Sequence, residues 1–65
     1  MIYVNGAEHE DAASVAELLT RLGLGEEPRG IAVALDGEVL PRASWSLQRL
    51  DDGVRVEVVG AIQGG

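Results

Sequence analysis

Apolar and polar positions follow two different periods along this chain. Val54, Val56 and Val58 alternate with Arg55, Glu57 and Val59, the period of two expected of a strand with one buried face. The first set should face the core and the second should face outward. Val15, Leu18, Leu19 and Leu22 instead fall at i, i+3, i+4 and i+7, one stripe of an amphipathic helix. Ser14-Val15-Ala16-Glu17 opens that helix as a capping box: the serine hydroxyl accepts from a free N–H and the glutamate reaches back. Gly23 and Leu24 close it, with Leu24 folding back on the last turn as in a Schellman motif. The predicted helix runs over 15–22.

The remaining elements are set by turn chemistry. Met1 to Val4 reads as a strand, and Asn5-Gly6 as a type I′ turn, since both central residues of that turn need φ > 0. The return strand, Ala7 to Asp11, carries Glu8, His9, Glu10 and Asp11, which suits an exposed sheet edge. His9 reads as a solvated edge residue. Residues 25–30 form a loop in which Glu26 and Glu27 read as solvated carboxylates. Ile31 to Leu35 reads as a buried strand, Asp36-Gly37 as a second hairpin turn, and Glu38 to Leu40 as a short strand stopped by Pro41, which has no N–H for a ladder. Residues 43–50 cross the molecule with a turn of helix and carry Trp45. Asp51-Asp52-Gly53 turns into the last strand.

The order β-β-α-β-β-β, in so short a chain, leaves room for one helix on one mixed sheet. The predicted fold is α+β, a β-grasp of four to five strands. Its first and last strands lie parallel and adjacent at the centre. Residues 1–59 form the domain and residues 60–65 a flexible C-terminal tail, anchored at its root by the central strand.

Composition narrows the chemistry. Sixty-five residues make one domain with a thin core. There is no cysteine and no lysine, and His9 is the only histidine. Thiol nucleophiles, thiolate metal sites and Schiff-base chemistry are therefore excluded, and an enzyme is the poorest reading. A net charge of −6 repels phosphates and anionic lipid, and suits a partner with a basic face. Met1 leads directly into Ile2-Tyr3-Val4 with no basic or long apolar leader, so the expected compartment is the cytoplasm. The expected free state is a monomer.

One stretch is left unexplained by folding. Gly60-Ala61-Ile62-Gln63-Gly64-Gly65 has no charged side chain and three glycines in six residues. A glycine pair passes through a narrow slot because it has no Cβ and few φ restrictions. Gly65 is accordingly the candidate reacting group and Gly64 its slender passage. Ala61, Ile62 and Gln63 are candidate partner contacts, and Val59, apolar and outward-facing beside the tail, is a candidate for the docking face. A frayed end is the bland alternative for the tail, and an ordinary exposed valine the bland one for Val59.

The chain resembles the ubiquitin-like sulfur carriers, and among them the ThiS family of thiamine thiazole synthesis. The resemblance rests on Ile2-Tyr3-Val4-Asn5-Gly6, on the run from Val33 through Asp36-Gly37-Glu38 to Pro41-Arg42-Ala43-Ser44-Trp45, and on Ala61-Ile62-Gln63-Gly64-Gly65. Asp36 stands where the family usually has asparagine, and Val54 where an aspartate is common. The resemblance implies a protein substrate. A ThiF-like adenylating enzyme would activate the Gly65 carboxylate with ATP and magnesium. A desulfurase system would supply sulfur, and a ThiG-like thiazole synthase would receive it from a C-terminal thiocarboxylate. No cofactor would be bound by the chain itself. In the Pro-Arg-x-x-Trp segment, Trp45 is expected to cover the sheet end and Arg42 to pair with an acid or carbonyl. Related carriers, MoaD-like for molybdopterin or one for tRNA thiolation, remain alternatives, as does a β-grasp interaction module with an inert tail.

Overall fold

The computed structural model describes residues 1–25 and 28–60. Its strands are β1 (Ile2–Val4), β2 (Ala7–His9), β3 (Ile31–Leu35), β4 (Glu38–Val39) and β5 (Arg55–Gly60), with one helix, α1 (Val15–Arg21), and a 3-10 turn at Arg42–Ser44. They form one sheet in the order β2-β1-β5-β3-β4. β1 and β5 are parallel, with Tyr3 opposite Arg55 and Val4 opposite Val56. This is the β-grasp, with the first and last strands at its centre. The strand expected over residues 7–11 stops at His9 and lies on an edge, as its charges imply.

Both hairpins follow from their turn residues. Asn5 and Gly6 have φ of 51° and 87°, and Asp36 and Gly37 have 48° and 90°. These pairs meet the positive φ that a type I′ turn needs, and their twist matches that of the flanking strands. Both turns also reach sideways to β5, as described below.

A seven-residue helix is far too short to stand alone in water, so packing must hold it. Val15, Leu18 and Leu19 are fully buried against Ile2, Val33 and Val56 of the sheet. The helix start is capped twice. Ser14 Oγ accepts from the Glu17 N–H at 3.1 Å, and the Trp45 carbonyl accepts from the Ala16 N–H at 3.1 Å. Glu17 does not reach back as a capping box requires. Its carboxylate lies 2.7 Å from Arg21, one turn on, and that pair keeps it along the helix. At the other end the Leu24 N–H donates to Leu19 O and the Gly23 N–H to Thr20 O, a complete Schellman motif with Gly23 at φ 85°. Leu22, expected to extend the buried stripe, is the C-cap and is 38% exposed. The helix unwinds there, before the stripe completes another turn.

Trp45 lies deeper than a cover for the sheet end. It is 2% exposed and belongs to the core cluster, with its indole N–H donating to the Leu40 carbonyl at 3.2 Å. Among the described residues, Arg42 takes neither the acid nor the carbonyl expected for it. Its guanidinium stacks on the Trp45 ring, 4.5 Å from the centroid. A buried indole needs one polar partner for its N–H and a lid for its open face, and Leu40 and Arg42 supply them.

The Met1 ammonium closes the sheet end remote from Gly60. It lies 2.5 Å from both Asp11 and Asp52. Hydrogen bonds from Asp11 first, and then Asp52, raise its pKa above the ordinary 8.0. The sign follows: the folded state holds this proton more tightly than the unfolded chain. The contribution to stability is therefore full below about pH 8 and is lost as pH rises through the raised value. Thermal midpoints measured from neutral to alkaline pH should fall over that range. The fall should be smaller in the double variant Asp11→Asn, Asp52→Asn; an identical fall in both proteins would refute the clamp. All three groups are exposed, so the effect is a small one.

Candidate functional site

The candidate site is the C-terminal end of β5. β5 alternates as the sequence predicts, with Val56 buried and Val58 half-buried on the helix side, and Arg55, Glu57 and Val59 exposed on the other. The strand continues one residue past the expected domain boundary, since Gly60 pairs with Ile31 of β3. A Cβ added at Gly60 would meet only Ile31 Cδ1, at an ordinary 3.7 Å. The free fold thus makes no demand for glycine at this position. Ala61, Ile62, Gln63, Gly64 and Gly65 lie outside the described residues, as do Glu26 and Glu27.

The root is gripped from both flanks. On the β3 side, Val59 stands opposite Ala32 and Gly60 opposite Ile31. On the β1 side, backbone pairing gives way to a side chain. Asn5 Oδ1 accepts from the Val58 N–H at 2.8 Å, and Asn5 Nδ2 donates to the Val58 carbonyl at 3.2 Å. The amide of Asn5 thus acts as one more rung of the parallel ladder while its backbone makes the turn. Asp36 does the same from the opposite hairpin, its Oδ1 accepting from the Arg55 N–H at 3.0 Å. An amide oxygen would accept equally well, so aspartate in place of the family's usual asparagine leaves this bond intact.

Asn5 read from the sequence only as a turn residue. Its second role needs the β1–β5 neighbourhood, which no local pattern contains. Asn5→Gly should keep the turn, because glycine tolerates φ > 0, while both bonds to Val58 are lost. At about 0.5–1.5 kcal/mol for each hydrogen bond, and with both groups exposed, the cost should be about 1 kcal/mol. Urea unfolding measures that cost, and amide exchange at Val58 should quicken more than at Val56. Unchanged exchange at Val58 would remove Asn5 from the tail root.

Val59 is 59% exposed, as expected of a docking residue. The structure adds neighbours that the sequence pattern did not reveal. Ala32 faces Val59 across the β3–β5 ladder, and Ala34 faces Val39 across β3–β4. Val39 is 77% exposed. These four side chains share the sheet face away from α1, a small apolar strip running from the tail root to the β4 edge. The signal was latent in the alternation of Ile31 to Leu35, but that run reads as wholly buried until its partners are known. Only Val33 is fully buried there. His9 is half-buried, its Nδ1 2.8 Å from the Glu10 carbonyl, and stands on the β2 edge away from this site.

A small sheet with its first and last strands parallel at the centre has counterparts among known proteins. The family model of the ThiS family matches residues 2–65 of this chain. The chain belongs to the ThiS family. The solved ThiS structures agree. The crystal structure of the thiamine biosynthesis protein ThiS from Geobacter metallireducens is 34% identical, with a TM-score of 0.78 over 98% of this chain and 97% of that one. The solution structure of a thiamine biosynthesis protein from the same organism is 34% identical, with a TM-score of 0.76 over 98% of this chain and 86% of that one. A search of curated proteins returns no match. The ThiS fold therefore holds for this chain. Among the described residues, no helix is long and apolar enough to cross a membrane.

Proposed function

We propose that this chain is a sulfur carrier of thiamine biosynthesis, a protein substrate and not an enzyme, with Gly65 as the group that is loaded. The observation that carries the reading is the position of β5. It is held by β3 as far as Gly60 and from the β1 side as far as Val58, and the chain continues as Ala61-Ile62-Gln63-Gly64-Gly65, in a sequence matched by the ThiS family over residues 2–65. The geometry suits delivery: a rigid root, then five residues that enter a partner's active site.

The chemistry begins with an unreactive group. A carboxylate is anionic and a poor electrophile. A ThiF-like partner uses ATP and magnesium to join it to AMP, releasing pyrophosphate. The acyl adenylate has a good leaving group, and a persulfide supplied by a desulfurase system displaces AMP to give an acyl disulfide, whose S–S bond a thiol then cleaves, the thiol leaving as a disulfide. The product is a thiocarboxylate at Gly65, from which a ThiG-like thiazole synthase takes sulfur. ATP and magnesium belong to the partner. With no cysteine in the chain, no side chain can hold sulfur as a persulfide, which leaves the terminus. Gly64 keeps the approach narrow, Ala61, Ile62 and Gln63 contact the partner's channel, and Val59 with Ala32, Ala34 and Val39 forms the docking face. The net charge of −6 speeds encounter with a basic surface.

Intact-mass spectrometry of the chain, incubated with its adenylating partner, a sulfur donor and ATP, tests this. The expected result is a gain equal to one oxygen replaced by one sulfur. An unchanged mass, with the partners shown to be active on another carrier, would leave an interaction module with an inert tail. Transfer of the sulfur to a molybdopterin synthase subunit or to tRNA, and not to a thiazole synthase, would instead reassign the pathway.

A further inference from the structure

β3 runs antiparallel to β5, so the chain entering β3 lies beside the chain leaving β5. Nothing about that geometry alone forbids a longer ladder. The pattern Val54, Val56, Val58 continues in register to Ile62, a β-branched residue that a longer ladder would carry toward the helix side of the sheet. A tail committed to a partner must not be taken up by its own sheet.

The register identifies the positions that decide this. The Asp36 N–H donates to the Arg55 carbonyl at 2.8 Å. Hydrogen-bonded pairs recur at every second residue of an antiparallel ladder, so 34 with 57 and 32 with 59 are the next two. A longer ladder would need residue 30 to bond residue 61 and residue 28 to bond residue 63. Residue 30 is glycine with φ of 72°, a left-handed conformation that turns its N–H and carbonyl out of the strand direction. Residue 28 is proline, which has no N–H to give. The parallel flank closes independently: Asn5 occupies Val58, and Gly6 at φ 87° carries the chain away into β2.

We infer that Gly30 and Pro28 are a ladder stop, which starts β3 at Ile31 and offers the residues after Gly60 no strand partner on that flank. Gly30 and Pro28 are positioning residues, acting on the carboxylate through the backbone. The consequence for loading rests on the carrier reading above; the stop itself does not.

The test uses the full chain and two readouts. In the wild type, the amides of Ala61 and Gln63 should exchange at the rate of an unstructured peptide, while that of Val59 is protected. Protection at Ala61 and Gln63 equal to that at Val59 would overturn the inference, whatever any variant does. The double variant Pro28→Val, Gly30→Val should extend the ladder and slow exchange at both amides by about tenfold. If one molecule in ten then has its tail available, the KM for the adenylating partner rises about tenfold with kcat unchanged. Gly30→Asn, which tolerates positive φ, should behave as wild type. A folded double variant with no gain in protection would sink the stop. Slowed exchange with no sulfur loading of either protein would keep the stop and discard the carrier reading.

Discussion

Deleting Gly64 and Gly65 is expected to abolish sulfur loading completely while leaving the thermal midpoint unchanged. The two halves of this result have separate causes. The core cluster of Ile2, Val4, Ala12, Val15, Leu18, Leu19, Val33, Trp45 and Val56 is drawn from the described residues, and a glycine has no side chain to add to it. The described sheet pairing runs to Gly60, four residues before Gly64. Folding therefore loses nothing with the last two residues. Loading loses everything, because the new terminal carboxylate, on Gln63, falls two residues short of the reacting position. Two residues of extended chain span up to about 7 Å, far more than the tolerance of a nucleophilic displacement, where reacting atoms must stand about 3–3.5 Å apart. Gly65→Ala separates reach from width: the length is kept, but a Cβ enters the slot, so adenylation should fall while the fold stays intact. Intact mass and thermal melting read out both variants. A truncated chain that still gains sulfur would refute the role of Gly65. Normal adenylation of the alanine variant would refute the argument from width alone.

Trp45→Ala is expected to remove a large share of the domain's stability. Trp45 holds three connections at once: its ring fills the core, its indole N–H satisfies Leu40, and its carbonyl caps the Ala16 N–H. Removing the side chain takes the first two and leaves a cavity, a loss of about 3–5 kcal/mol for such a residue. A domain of 65 residues has about 3–10 kcal/mol in all, at 0.05–0.15 kcal/mol per residue. The substitution therefore removes between about a third and the whole of that total. Trp45→Phe keeps most of the volume and loses the N–H, and should remain folded with a lowered urea midpoint. Arg42→Ala removes only the exposed stacking partner, about 0.5–1 kcal/mol. Far-UV circular dichroism follows all three, since the first two variants lack the fluorescent indole. A Trp45→Ala protein that melts like wild type would mean that the core closes without the indole.

Local signals predicted the elements, and distant neighbours supplied the rest. Asn5-Gly6 and Asp36-Gly37 announced both hairpins because positive φ is a property of the residue itself. The valine alternation in β5 announced its buried face because one strand is enough to define two faces. By contrast, Leu22 fits the helical stripe yet is 38% exposed, since periodicity does not say where the last turn ends. Glu17 fits a capping box yet pairs with Arg21, because two partners competed and spacing allowed both. At the candidate site, Val59 was legible as outward and apolar. Ala32, Ala34 and Val39 were not, because membership of the strip depends on which strands are neighbours. The bonds of Asn5 to Val58 span 53 residues and leave no trace in either local stretch.

The place of β5 between β1 and β3 also bears on how the protein is made. Synthesis runs from the N-terminus, so the strand at the middle of the sheet is the last one to arrive. Until then β1–β2 and β3–β4 are separate hairpins, and a lone hairpin is marginal in water. Pairing β1 with β5 closes a loop of about fifty residues, so folding is slow to begin and largely awaits the synthesis of β5. A chain broken off before Arg55 has no sheet, and it has no tail either. The pairing event that builds the sheet face carrying Val59 is thus the same one that brings the residues after Gly60 beside it.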